Sequence, residues 1–387
     1  MRRTFHPVGQ GAFSSETFFG EENAKHVIFD CGTSTSGPFL ENAVSNLFRR
    51  DFSSNSRPQV PYFFISHLHE DHINGIPYLS KRVNIEKIFL PLTHDSAEVY
   101  LKVHKILSHA EIVSLDELNS IEGYANVLSN GMHEMIYSDS GIIQVAPVGM
   151  EGERSDSEVN SGEEITIYGG PNNNKWKFIP FNLENESRVN QFWEEINEST
   201  DEDIKSIFDI NRRVKVGNLY RENVRQKLRK IYSSIEGGIH SNMLVVFSMP
   251  CRHHWKYFIM PNVLFALDKY EMNPGCVYFG DAMLKGKMLD QIKKAVTPKN
   301  PNTSDVPELA RIGTVQIPHH GANGYFTQEI FEIFPQATEY VVSAGGNNPY
   351  CHPSESVTSM FYMESRRKLW CINEYSMPLS YETFIRH

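Results

Sequence analysis

Ser66-His67-Leu68-His69-Glu70-Asp71-His72 follows the apolar run Val60 to Ile65 and precedes a turn at Asn74 and Gly75. The apolar run reads as a buried strand, so four potential metal ligands sit on the loop at its end. Imidazoles two positions apart on a loop can turn their nitrogens to one cation, while Asp71 and His72 can reach a second one beside it. A structural zinc site closes itself with four ligands, often cysteines. This cluster is all nitrogen and oxygen and must be completed by distant residues, which leaves room for water. The alternative, a histidine-rich surface loop without a cation, has to be weighed against the rest of the chain.

The chain has 387 residues, enough for a large α/β domain carrying an insertion or for two domains. Hydrophobic residues make up 40%, with 24 Phe and 17 Tyr, which excludes a disordered chain. The five cysteines, Cys31, Cys251, Cys276, Cys351 and Cys371, form no CxxC pair. Neither a disulfide framework nor a thiolate zinc site is indicated, and a reducing cytoplasm is the expected compartment. The N-terminus has two arginines but no apolar stretch behind them, and no later run is long enough to span a membrane. A formal net charge of −10 argues against broad affinity for nucleic acid, although a local basic patch can still provide it.

Working outward, strands are expected over Thr4 to Pro7, Glu16 to Phe19 and His26 to Phe29, with Asp30-Cys31-Gly32 closing the third. Asp30 is a candidate for orienting the metal loop, and equally for a turn aspartate satisfied by backbone amides. Helical spacing covers Phe39 to Arg50 and Ala97 to Leu107, with a strand at Ile88 to Pro91 between them. His104, on the second helix, reads as a surface or packing residue. Ile142 to Ala146, Ile165 to Tyr168 and Trp176 to Phe181 read as strands around an acidic loop, Glu151 to Glu164, expected to be mobile and exposed.

From Asn185 to Tyr232 the pattern changes to charged helix, acidic first and then basic. The expectation is a single domain over 1–387 with an acidic loop and helical subdomain inserted over approximately 150–235. The basic half includes Arg221, Arg225 and Arg229, with Tyr220 and Tyr232 interleaved, a composition suited to phosphates and bases. The competing reading is a solvated face paired with the acidic half, or a docking face for a partner protein.

Three further strand ends deliver ligand-type side chains. His240 precedes the run Met243 to Phe247, Asp281 follows Val277-Tyr278-Phe279-Gly280, and His319 and His320 follow Val315 to Pro318. A carboxylate can bridge two cations, which suits Asp281; its alternative is a cap for a helix starting near Leu284. Tyr340 to Ser343 leads to Gly345-Gly346-Asn347-Asn348-Pro349-Tyr350-Cys351-His352-Pro353, and Leu369 to Ile372 reads as the last strand. Strand ends are where sheet enzymes place their chemistry.

The HxHxDH pattern at His67, His69, Asp71 and His72 resembles the signature of the metallo-β-lactamase superfamily. Val8-Gly9-Gln10-Gly11, Pro318-His319-His320-Gly321 and Ser343 through Asn348 to His352-Pro353 resemble, in order, elements of the hydrolase domain of ComEC-type DNA-uptake proteins and their soluble relatives. The likeness runs from residue 8 to about residue 375, outside the insertion. It implies an α/β fold, an αββα sandwich of two mixed sheets with helices outside and a metal site at one edge. It also implies His67, His69 and His240 on a first metal, Asp71, His72 and one of His319 or His320 on a second, with His319 favoured because it follows the strand directly. Asp281 would bridge the two, and Asn348 and His352 would face substrate. Ala12 stands where the family commonly has Asp, and the membrane channel of the uptake proteins is absent.

Together these readings predict a hydrolase that uses two divalent metal ions, zinc or manganese, and a bridging hydroxide against a phosphodiester in DNA, RNA or a nucleotide. Asp71 would help hold the nucleophile, and His352 or the spare histidine, His320, would protonate the leaving oxygen. A carbonyl substrate (thioester, lactone or lactam) and a non-catalytic metal-binding interaction module are the competing readings.

Overall fold

The computed structural model describes residues 1–19, 24–49, 57–92, 141–150, 152–169, 174–184, 187–207, 221–235, 242–251, 257–261, 270–271, 273–297, 309 and 311–385. The expected helix over Ala97 to Leu107, His104, His240, Tyr220 and the side chain of Tyr232 lie outside the described residues. The chain forms two compact units. One comprises Met1–Pro91, Asp139–Leu183 and Met243–His387, and the other Leu92–Ser138 and Glu184–Asn242.

The first unit is built on seventeen strands among the described residues: β1 Arg2–Phe5, β2 Phe13–Phe18, β3 Lys25–Cys31, β4 Gln59–Phe64, β5 Asn84–Pro91, β6 Gly141–Val145, β7 Glu158–Val159, β8 Ile165–Gly169, β9 Asn174–Glu184, β10 Asn242–Pro250, β11 Tyr257–Pro261, β12 Tyr270–Glu271, β13 Gly275–Tyr278, β14 Ile312–Gln316, β15 Glu339–Ser343, β16 Lys368–Ile372 and β17 Leu379–Ile385. They form a ten-stranded sheet, β12-β11-β17-β1-β2-β3-β4-β5-β6-β7, and a seven-stranded sheet, β16-β15-β14-β13-β10-β9-β8. Both are mixed: β3 to β7 run parallel beside the antiparallel β1, β2 and β3, and β13 to β16 run parallel beside the antiparallel pair β10 and β13.

One cluster of buried apolar residues joins the two sheets, with Phe5, Phe29, Phe64 and Phe89 from the larger meeting Phe178, Leu244, Val246 and Tyr278 from the smaller. On the other face of the smaller sheet, Met243, Val245, Phe247 and Val277 pack with the helix Gly286–Val296 and with Ile330, Phe331 and Val357. Successive residues of β10 therefore enter opposite cores, which is why this strand reads as an unbroken apolar run instead of an alternating one. Outside the larger sheet, Phe48 at the end of the helix Phe39–Leu47 meets the His26 ring edge-on at 4.8 Å. The layers agree with the expected αββα arrangement.

Four strands escape the sequence reading: β7, β11, β12 and β17. Leu369 to Ile372 is not the last strand, because β17 pairs with β1 and with β11 and buries Leu379 and Tyr381 between the sheets. The acidic loop carries the short strand β7 and is tied down by Ser161, whose hydroxyl donates to the Ala146 carbonyl and accepts from Asn182 N.

The second unit contains the helices Ser187–Glu198, Glu202–Lys205 and Glu222–Ser234, with Val189, Phe192, Trp193, Ile204, Val224 and Leu228 buried. Its acidic and basic stretches pair: Lys227 Nζ lies 2.6 Å from Asp201 and 3.0 Å from Asp203, and Arg221 lies 3.8 Å from Asp203. The expectation placed the insertion over approximately 150–235. Strands β7 to β9 instead complete the first unit, and this helical part begins at Glu184.

Candidate metal centre

The loop after β4 is shaped by its own backbone and by Asp30. Ser66 N donates to Asp30 Oδ1 at 2.7 Å, Ser66 Oγ donates to Oδ2 at 2.8 Å, and Leu244 N donates to the Ser66 carbonyl at 2.9 Å. The loop is thereby fastened to a strand of each sheet. The chain then turns into a short helix, Glu70–Ile73, which brings His72 back over His67 with ring centroids 4.2 Å apart; the His69 ring lies 4.7 Å from His67. His67 and His72 are buried, while the intervening Leu68 points outward and is half exposed.

Asp281 occupies the middle of the cluster. Its Oδ1 lies 3.1 Å from His72 Nε2, and its Oδ2 lies 3.7 Å from His67 Nε2 and 3.3 Å from His319 Nδ1. Asp281 stands on a turn at Gly280, whose φ of +55° and close approach to Ser66 suit only a residue without Cβ: an added Cβ would lie 2.4 Å from that of Ser66. Gln316 Oε1 fixes this turn by accepting from Phe279 N and Gly280 N. The helix downstream begins at Gly286, so Asp281 does not cap it.

His319 and His320 both have positive φ, +49° and +54°, and this backbone turn separates them. His320 is buried; its Nδ1 donates to the Ser343 carbonyl at 2.9 Å and its Nε2 lies 3.0 Å from Asp71 Oδ2. His319 lies at the rim against the Tyr325 ring, centroids 4.0 Å apart. It is thus His320, the second of the pair, that stands with Asp71 and His72, whereas His319 contacts Asp281.

Two groups of donor atoms each lie within 4.8 Å of one another: His67, His72 and Asp281, and Asp71, His72 and His320. The chemistry of the set fits divalent cations. Nitrogen and carboxylate oxygen donors are mixed, and three rings are hydrogen-bonded from behind, His67 to Ser66 Oγ at 3.0 Å, His72 to Asp30 at 2.8 Å and His320 to the Ser343 carbonyl, which turns each Nε2 inward. The electrostatics agree. Burial opposes charge on His72, yet Asp281, Asp30 and Asp71 outweigh it and raise its pKa well above the usual imidazole range. Burial likewise opposes charge on His320, and its hydrogen bond to Asp71 raises it. For Asp71 burial is again overcome, by His72 and His320, and its carboxyl falls to about 2. Burial alone is enough to lower His69 and His319. A pocket that draws protons onto buried imidazoles is one whose negative charge a cation can balance.

Residues 12–104 match the family model described as the metallo-beta-lactamase superfamily. This stretch carries the His67 to His72 loop, and the two mixed sheets are those of the metallo-β-lactamase fold. Among curated proteins, ribonuclease J of Mycoplasma pneumoniae is 30% identical over 99 residues, which is 25% of this chain and 17% of that protein. Ribonuclease J of Mycoplasma genitalium is 34% identical over 101 residues, again 25% of this chain and 17% of the relative. The chain therefore aligns with about a sixth of the length of either relative. No helix among the described residues is long and apolar enough to cross a membrane.

Asn348 closes its own loop, its Nδ2 donating to the Gly345 and His352 carbonyls and its Oδ1 accepting from His352 N. The His352 ring stands 6.3 Å from that of His320. In the second unit Arg221 is exposed, Arg229 is half-buried and Arg225 is buried. Sequence reasoning passed over Gln10, Ser66, Gln316 and Ser343 as working residues. Gln10 and Ser343 stood inside motifs named above, but what they touch comes from other segments: His320 for Ser343, and Gly345 and His352, hundreds of residues away, for Gln10.

Proposed function

We propose that the protein is a two-metal hydrolase of phosphodiesters, with RNA as the first polymer to test. The convergence of Asp71, His72, Asp281 and His320 at the edge of the two sheets carries this reading, and the partial likeness to proteins named ribonuclease J supports the choice of bond. Zinc or manganese bound there would neutralise phosphoryl charge and lower the pKa of a bound water toward neutrality. His67, His69 and Asp281 would hold one cation, with His240 as the candidate third imidazole. Asp71, His72 and His320 would hold the other, with Asp281 between them. This assigns His320 as a ligand and leaves His319 on the substrate side. Asn348 acts by holding the loop that presents His352. Arg221 and Arg229 are the candidates for gripping a polymer, and the finer resemblance to ComEC-type hydrolase domains is kept as part of this proposal.

The test is hydrolysis of a chromogenic phosphodiester by protein reconstituted with zinc or manganese, beside Asp71→Ala and Asp281→Ala. Turnover by the unaltered protein that disappears in both variants is expected. Stoichiometric metal binding without turnover would turn the reading toward thioester, lactone or lactam substrates.

A further inference from the structure

His352 is held on several sides by groups that leave little choice of ring state. Its backbone is pinned by Asn348, through Nδ2 to the His352 carbonyl at 2.8 Å and His352 N to Oδ1 at 2.8 Å. Its ring is stacked against Tyr350 on centroids 5.6 Å apart at 26°, and lies nearly parallel to His320 at 21°. Its Nδ1 lies 3.2 Å from Nε2 of Gln10, a residue 7% exposed whose own backbone nitrogen donates to Thr35 Oγ1 at 2.8 Å.

The proton can be located from the partners. Gly345 N lies 3.2 Å from the Gln10 side-chain oxygen, and a backbone N–H can only donate, so that oxygen must face Gly345. The amide nitrogen of Gln10 then faces His352, and an NH2 group also only donates. His352 Nδ1 must accept, and the proton of the neutral ring therefore sits on Nε2. Turning the amide over would set two donors against each other in a buried place, a loss that an unpaired buried group makes costly. A protonated ring would set its Nδ1–H against the same NH2 group, so the geometry itself calls for the neutral ring.

We infer that Gln10 is a positioning residue that keeps His352 in its Nε2–H form, so that His352 serves the proposed diester reaction as a neutral hydrogen-bond donor to a phosphoryl oxygen and not as its acid. The inference rests on the reading of the site given above. A neutral imidazole that surrendered its Nε2 proton would become a strongly basic imidazolate, whereas the same N–H can stabilise developing negative charge without moving its proton. The leaving-group role expected for His352 from the sequence is replaced by this one.

The experiment has two readouts. The first is the long-range nitrogen–proton spectrum of the full chain labelled with 15N-histidine and loaded with zinc, with His352→Gln identifying the signals of His352. The Nε2–H form is expected in the unaltered protein. In Gln10→Glu a carboxylate can accept from both Gly345 N and His352, so the Nδ1–H form is expected there. An Nδ1–H ring in the unaltered protein, or no change in Gln10→Glu, overturns the assignment. The second readout is the rate of His352→Ala on aryl phosphodiesters whose phenols span a range of acidity. A donor to the phosphoryl oxygen predicts a loss of about 100-fold that is even across the series. A loss that steepens as the phenol becomes less acidic overturns the donor role in favour of proton transfer. Absence of diester turnover by the unaltered protein overturns the proposed function and the phosphoryl contact with it, while the spectrum still decides the tautomer.

Discussion

Asp30 and His72 are joined across the root of the metal loop: His72 Nδ1 donates to Asp30 Oδ2 at 2.8 Å, while the other ring nitrogen lies 3.1 Å from Asp281. One carboxylate thus aims the ring and the other faces its working side. Asp30→Asn keeps the shape but weakens that hold and disturbs the hydrogen bonds from Ser66. Metal affinity is expected to fall about 10- to 100-fold with the fold retained, measured by competition with a chromogenic chelator. Unchanged affinity would make Asp30 a turn residue only.

Metal and protons should compete for this pocket. In the metal-free protein the pKa values of His72 and His320 lie above those of the unfolded chain. Their contribution to stability is therefore complete below pH about 6.5 and is lost as pH rises through the raised values. Asp71, lowered to about 2, contributes above the ordinary carboxylate range and loses that contribution as pH falls toward 2. Bound cations need neutral imidazoles, so the gap in Tm between metal-loaded and chelator-treated protein is expected to widen as pH rises from 6 to 8. Parallel Tm curves over that range would count against imidazole ligation.

Gly280 sets the height of Asp281. Gly280→Ala forces an alanine into the left-handed region and drives its Cβ against Ser66, so destabilisation of at least about 2 kcal/mol is expected in urea unfolding. Metal affinity should drop with it, because Ser66 shares Asp30 with His72. A neutral result would mean that the turn can shift without cost.

Arg3 and Glu16 are both almost wholly buried, with Nη2 2.8 Å from Oε1. Tyr278 donates to the same carboxylate at 3.0 Å and Ser248 at 2.6 Å, so strands of both sheets meet on it. Removing one charge alone, as in Arg3→Met, is expected to cost about 3–5 kcal/mol, and replacing both residues by apolar ones of similar volume less than either single change. Thermal and urea unfolding of the three variants decide it; additive losses would show the two charges to be uncoupled.

The basic helix is expected to respond unevenly. Arg225 is 6% exposed, so Arg225→Glu buries an acid and should unfold the second unit locally, seen as increased amide exchange there. Arg221→Glu and Arg229→Glu should leave folding intact and weaken cleavage of RNA more than of a small chromogenic diester. Equal loss on both substrates would remove the helix from substrate binding.

Much of the site was legible because it is local. His67 to His72, Asp281, His319 and His320 each follow an apolar run, and a run bounded by glycine or proline marks a strand end whatever the rest of the chain does. The choice within the histidine pair was not legible. Adjacency to the strand favours His319, but consecutive positive φ values at His319 and His320 turn the second ring toward Asp71; histidine is among the residues enriched at positive φ, yet nothing in the neighbouring sequence marks which histidine adopts it. The strands β11 and β17 were missed for a related reason: β11 is placed by pairing with β17 and β17 by pairing with β1, each partner more than a hundred residues away in the chain.

By itself the sequence determined most of the apolar strands and the ligand types delivered at strand ends, since these depend on periodicity and short-range spacing, and it pointed to the fold class through its resemblance to the metallo-β-lactamase superfamily. Tertiary structure alone decided which carboxylate backs which imidazole, that Arg3, Glu16 and Arg225 are buried charges, and that Gln10 meets His352. A charge or an amide looks the same in a sequence whether it faces water or a partner. Its protonation, orientation and use are set by the few groups within about 3 Å of it, and those come from segments brought together only by folding.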